Sequence, residues 1–186
     1  MTPRARDWIT TAAFLGLIGA LVATGWLTRD RDRPVGEGDD APAFTVESLS
    51  GGSLSLESLR GQVVMLNIWA TWCAPCRLEM PSMQRAYDRY RDQGLEIVAI
   101  SVDTDPGVRG PDGAREGVVS RFVEELGLTF PVGVDPDGET ERLYEVTGLP
   151  TTFLIDREGR IRVRELGGRY WDRPPHVDMI ESLLEE

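Results

Sequence analysis

The sequence predicts an α/β domain, a central mixed β-sheet flanked by helices, with its only redox chemistry at one strand-to-helix junction. Three observations carry this reading. Val63–Ile68 (VVMLNI) is an apolar run rich in β-branched residues and of strand length. Leu78–Tyr90 carries apolar residues at near-helical spacing, and Leu95–Val102 (LEIVAISV) is a second buried strand, so the order strand, helix, strand implies a right-handed parallel crossover. Between the first strand and the helix lies Trp69–Pro81 (WATWCAPCRLEMP), which holds both cysteines of the 186-residue chain, Cys73 and Cys76.

Taken from the start, residues 1–7 are a short polar terminus, and Trp8–Leu27 (WITTAAFLGLIGALVATGWL) carries no charge. As a helix this run is long enough to cross roughly 30 Å of hydrocarbon, with a tryptophan at each interface. It is longer than the apolar region of a cleaved signal and lacks a clean small-x-small cleavage site, which favours an uncleaved membrane anchor. Arg4 and Arg6 favour a cytoplasmic start, whereas Arg29, Arg31 and Arg33 pull the other way. Residues 28–41 (TRDRDRPVGEGDDA) read as a solvated tether, leaving 42–186 as the folded domain. All twenty positive charges are arginine, and the net charge of −11 argues against nucleic-acid binding, which needs basic surface to displace counterions.

The domain opens with FTVESL, Gly51-Gly52 and SLSL, a pattern for an N-terminal β-hairpin turned by glycines. Ser58–Gly61 then leads into the strand that ends at Ile68. At the head of the following helix, two cysteines separated by Ala74 and Pro75 can close a small disulfide ring. Cys73 lies where unpaired N–H groups and the macrodipole stabilise a thiolate, so it is the expected nucleophile and Cys76 the resolving thiol. Pro75 lacks an N–H that would be unpaired in the first turn anyway, and with Trp72 it shapes the turn. Pro81 falls inside the helical pattern and is expected to kink it. A zinc site would ask for four ligands, and the chain adds only the distant His176 to its two cysteines. No metal or other cofactor is expected.

Farther along, Asp103–Gly113 (DTDPGVRGPDG) is a loop by composition, either a substrate-selecting rim or a surface insertion. Glu116–Leu126 resumes helical spacing and Gly127 ends it. Asp135–Glu141 (DPDGETE) lacks the ligand order of a calcium loop and makes a good turn and helix start. A short helix over Glu139–Val146 delivers the chain to Leu149-Pro150 and the strand TTFLID. Arg160–Leu166 (RIRVREL) alternates as a strand with one wet face, and a last helix is expected from about Val177 to Glu185. Tyr170 and Trp171 either lie near the cysteines or cover the sheet.

The WCAPC stretch resembles the WCxPC signature of thioredoxins. With GDDAPAF, LRGQVVMLNIWATWCAPCRLEMP and GLPTTFLIDREGRI, the chain from Gly36 onward is similar to the membrane-anchored TlpA/ResA-like thiol-disulfide oxidoreductases. The resemblance implies a thioredoxin-like fold, a domain on the extracytoplasmic (periplasmic) side of the cytoplasmic membrane, and a cis Pro150 facing the cysteines. Leu149 would then bind an extended substrate segment through its main chain. Where thioredoxins carry a buried aspartate this chain has Asn67, which cannot titrate. Glu79, three residues past Cys76 and acidic at the matching position of the family, is the candidate proton carrier; a solvent-facing glutamate is the bland alternative. Glu79 would raise the thiol pKa values and Arg77 would lower them.

The expected activity is reduction of protein disulfides by a Cys73/Cys76 dithiol cycle. The resemblance implies a substrate such as apocytochrome c in cytochrome c maturation and a membrane electron donor. A peroxiredoxin-like thiol peroxidase and a non-catalytic thioredoxin-fold binding module are the alternatives.

Overall fold

The computed structural model describes residues 13–21, 34–109 and 115–186. The chain divides into two units, Met1–Pro34 and Val35–Glu186. In the first, residues 13–21 are helical with exposed side chains. Among the described residues no helix is long and apolar enough to cross a membrane. The span predicted over 8–27 is therefore not shown, and its remaining residues lie outside those described, as do the predicted terminus 1–7 and tether residues 28–33.

The second unit is built on a seven-stranded mixed sheet in the order β2-β1-β7-β4-β3-β8-β9. Its strands are β1 (Thr45–Ser48), β2 (Ser53–Ser55), β3 (Val63–Trp69), β4 (Leu95–Ser101), β7 (Val132–Val134), β8 (Thr151–Ile155) and β9 (Ile161–Leu166). Strand β3 runs parallel to β4 and antiparallel to β8, and β4 is parallel to β7. β1 pairs antiparallel with β2 across Gly51 and Gly52, whose φ values of 97° and 78° suit a residue without Cβ, and it also joins β7. Helices α1 (Ala74–Tyr90), α2 (Val118–Leu126), α3 (Glu139–Leu143) and α4 (His176–Glu185) complete the domain.

All seven residues of β3 are buried because sheet neighbours and packed layers cover both its faces. The two-residue period of a strand then divides them. Val63, Met65 and Trp69 enter one core with Met80 and Met83 of α1, Phe122 of α2 and Ile180 of α4. Val64, Leu66 and Ile68 enter the other, with Phe44, Tyr144 and Phe153. Asn67 belongs to the first row, so its polar side chain is aimed at α1.

Helix α1 buries Cys76, Glu79, Met80, Met83, Ala86 and Tyr90, recurring at three and four residues. It runs through Pro81, and the Ser82 hydroxyl donates to the Glu79 carbonyl at 2.7 Å. Leu78, counted above in the helix's apolar pattern, is 72 % exposed. Helix α2 starts at Val118, later than expected, because Arg115–Glu116 (β6) pairs with Val108–Arg109 (β5). Helix α3 ends early: Glu145 takes a left-handed φ of 48°, and Val146 N–H donates back to the Glu141 carbonyl in a Schellman closure. The start of α3 is capped by Asp135, which accepts the N–H groups of Glu139 and Thr140 at 3.1 and 2.6 Å. That is the turn-and-helix role read from its sequence.

Candidate active site

Strand β3 ends at Trp69, and the chain turns through Ala70, Thr71 and Trp72 before α1 begins. Cys73 is the N-cap of α1: its N–H donates to the Ala70 carbonyl at 3.1 Å, while its sulfur accepts the Cys76 N–H at 3.2 Å. Cys73 and Cys76 are joined by a disulfide of 2.03 Å. Cys76 is fully enclosed and Cys73 keeps 5 % of its surface, so an incoming group meets Cys73. Trp72, beside it, is 71 % exposed.

Strand β8 brings in the opposite wall. The pairing Ile68↔Thr151 sets Pro150 one step on, level with Trp69, and the Leu149–Pro150 peptide is cis. The Pro150 carbonyl accepts from Gly167 N–H at 2.8 Å, whereas among the described residues no hydrogen bond engages the Leu149 main chain.

Glu79 is 1 % exposed, which removes the solvent-facing alternative. Its Oε1 accepts from Asn67 Nδ2 at 2.7 Å, and its Oε2 from Arg169 N–H at 3.0 Å and Trp171 Nε1 at 3.4 Å. Burial dominates and pushes the Glu79 carboxyl up to about 7; the donors from Arg169, Asn67 and Trp171 oppose that rise. Asn67 therefore contributes by holding Glu79, and its Nδ2 also donates to Thr152 Oγ1 at 2.8 Å. Its Oδ1 is buried without a partner. Rotating the amide would present that oxygen to a protonated Glu79, so the pocket can host either form of the acid.

Sequence reasoning left the Gly167–Trp171 segment unassigned. Trp171 is buried, packs against the His176 ring with centroids 4.9 Å apart and donates to Glu79, while Tyr170 is 54 % exposed. Gly168 lets this segment close on the active turn: a Cβ there would stand 3.0 Å from the Pro75 carbonyl oxygen. Pro75, Leu78, Glu79, Gly168, Arg169 and Tyr170 line a hollow of about 140 Å³ beside the cysteines. Arg77 is directed elsewhere, with its guanidinium 4.7 Å from the Phe122 ring and 3.8 Å from Glu125.

One exposed edge of a helix-capped disulfide, an enclosed partner sulfur and an acid titrating near neutrality one turn along suit the making and breaking of a disulfide with another molecule. Together with the sheet that carries them, they define a thioredoxin-like thiol-disulfide oxidoreductase. The chain belongs to the AhpC/TSA family, which matches residues 37–164. It is 38 % identical over 162 residues to the thiol-disulfide oxidoreductase ResA of Bacillus subtilis, covering 87 % of this chain and 85 % of that one. It is 41 % identical over 140 residues to ResA of Oceanobacillus iheyensis, covering 73 % and 68 %. A crystal structure assigned to the thiol:disulfide interchange protein DsbE of Chlorobium tepidum superposes with a TM-score of 0.71 at 34 % identity, over 81 % of this chain and 99 % of that one.

Proposed function

We propose that this oxidoreductase works as a reductant of protein disulfides, with Cys73 as nucleophile, Cys76 as resolving thiol and Glu79 as the proton carrier. The observation that carries the reading is the buried Glu79 carboxyl, held by Asn67, Arg169 and Trp171 and raised to about 7. In the forward step the Cys73 thiolate attacks a substrate disulfide. A Cys73–substrate bond forms, the substrate S–S bond breaks, and the departing substrate sulfur takes a proton. Cys76 then gives its proton to ionised Glu79 and attacks the Cys73 sulfur: the Cys73–Cys76 bond forms, the Cys73–substrate bond breaks and the second departing sulfur takes a proton, so that the substrate leaves as a dithiol and the enzyme as a disulfide.

An anionic Glu79 also disfavours a second charge on the cysteines. Thiols that resist ionisation hold their protons and favour the oxidised enzyme, which is the signature of a reductant. Arg77, engaged with Phe122 and Glu125, does little to reverse this. The exposed side chains of Trp72, Leu78 and Tyr170 form an apolar rim for a protein substrate, whose extended segment pairs with the Leu149 main chain beside Pro150. The enclosed Cys76 and the named relatives, all thiol-disulfide oxidoreductases, favour this reading over a thiol peroxidase.

The substrate class follows the TlpA/ResA likeness: apocytochrome c before haem attachment, with the enzyme recharged by a membrane electron donor. Residues 8–27 anchor the chain in the cytoplasmic membrane and place the domain on the extracytoplasmic side. A redox titration of the full chain in thiol-disulfide buffers tests the direction: a midpoint near that of thioredoxin, about −270 mV, supports a reductant, and one near −120 mV makes it an oxidant. Protease added to intact spheroplasts should digest the domain; full protection would put it in the cytoplasm.

A further inference from the structure

A second carboxylate reaches the active-site turn from β4. Asp103 is buried two residues past the end of that strand. Its Oδ2 accepts the Thr71 N–H at 2.9 Å and the Ser101 hydroxyl at 2.7 Å, and its Oδ1 accepts the Thr71 hydroxyl at 2.6 Å. Its own N–H donates to Ser101 Oγ at 3.1 Å. Both carboxylate oxygens thus close on Thr71, two residues before Cys73, inside the turn that the Cys73 N–H to Ala70 bond completes.

The parallel register explains how it gets there. Trp69 pairs with Ser101, so the two strands end level and the residue two beyond Ser101 meets the residue two beyond Trp69. A buried carboxylate is costly unless its lone pairs are matched, and an apolar side chain would fill the same space without that cost. Packing alone therefore does not account for an acid here. What the acid supplies is a two-point hold on the turn that carries the nucleophile, itself braced by Ser101 at the end of β4.

We propose that Asp103 is a positioning residue for Cys73, holding the Ala70–Cys73 turn so that the sulfur stays aligned with the Cys76 N–H and the N-terminus of α1. The inference rests on Cys73 being the attacking sulfur. Alignment and charge act in opposite directions: the hold favours the thiolate through the helix N–H groups, whereas a carboxylate acting through its charge disfavours it.

The test is the pH profile of iodoacetamide alkylation of the reduced full chain, with the adducts mapped by mass spectrometry. Asp103→Ala removes both acceptor oxygens and with them the three hydrogen bonds they receive. Its profile should move to higher pH by about one unit, slowing Cys73 alkylation at neutral pH roughly tenfold. Asp103→Asn can restore the hold, because its carbonyl accepts from Thr71 N–H and Ser101 while its amide donates to a reoriented Thr71 hydroxyl. It should react within about twofold of the parent. Thr71→Val keeps the backbone bond, should fall between the two, and serves where Asp103→Ala does not fold. Any other pattern overturns the proposal: coincident profiles make Asp103 a bystander, and faster reaction in both Ala and Asn variants makes it a charge. An adduct on Cys76 of the parent chain would overturn the nucleophile assignment as well; an adduct on Cys73 with coincident profiles overturns the positioning role alone.

Discussion

Replacing Cys73 by serine should abolish disulfide reduction, with a loss on the order of 10³-fold or more, because a serine hydroxyl is not ionised at neutral pH and forms no mixed disulfide. Replacing Cys76 by serine should have a different signature. Cys73 keeps its exposed edge and still attacks, but nothing resolves the adduct, so a covalent complex with the substrate accumulates and is released by added thiol. Loss of fold does not explain either result: the cysteines are three residues apart, and closing so short a ring contributes about 2 kcal/mol at most in the chain-entropy view. The measurement is turnover of a protein disulfide together with non-reducing electrophoresis of the Cys76→Ser reaction. Full turnover in Cys73→Ser would overturn the assignment of Cys73 as the nucleophile.

The sequence made one half of this site plain and left the other half dark, for a physical reason. A strand, a Cys-x-x-Cys turn and a helix are local, so hydrophobic period and spacing place Cys73, Cys76 and Glu79 on adjoining turns of α1 without any tertiary information. Whether Glu79 faces water or protein is not local. It depends on Asn67 being in the row of β3 that faces α1, and on Gly167–Trp171, a stretch with no period, returning after β9 to supply two donors. Asn67 was legible as a residue that cannot titrate; its role as a partner of Glu79 needed the parallel and antiparallel neighbours that bury β3 on both sides. Asp103 stayed hidden in a segment read as loop, since only the register of β4 against β3 brings it to Thr71. Leu78 shows the converse error, an apolar residue at helical spacing that belongs to the surface.

Replacing Glu79 by glutamine should slow the resolving step about a hundredfold near neutral pH and remove one limb of its pH dependence. Glutamine keeps the shape, and an Asn67 rotation can offer Oδ1 to its amide, so the variant should fold. In the parent, the rate of substrate release rises as Glu79 ionises through about pH 7 and becomes able to accept the Cys76 proton. Stability moves the opposite way. The folded carboxyl titrates at about 7 against an ordinary 4.5, so folding takes up a proton between those values: burial costs nothing below the lower one, and the cost grows until it is complete above the upper one. Parent stability should therefore fall by about 3 kcal/mol relative to Glu79→Gln across that window. Trp171→Phe removes a donor that favours the carboxylate, so both the activity limb and the stability loss should shift to higher pH while the ring still fills the core. Single-turnover release and denaturant midpoints, followed from about pH 5 to pH 9, measure both effects on the same variants. Identical rate profiles in the parent and Glu79→Gln would exclude Glu79 as the proton carrier, whereas a flat rate with a preserved stability shift would leave it a buried acid that takes no part in resolving the mixed disulfide.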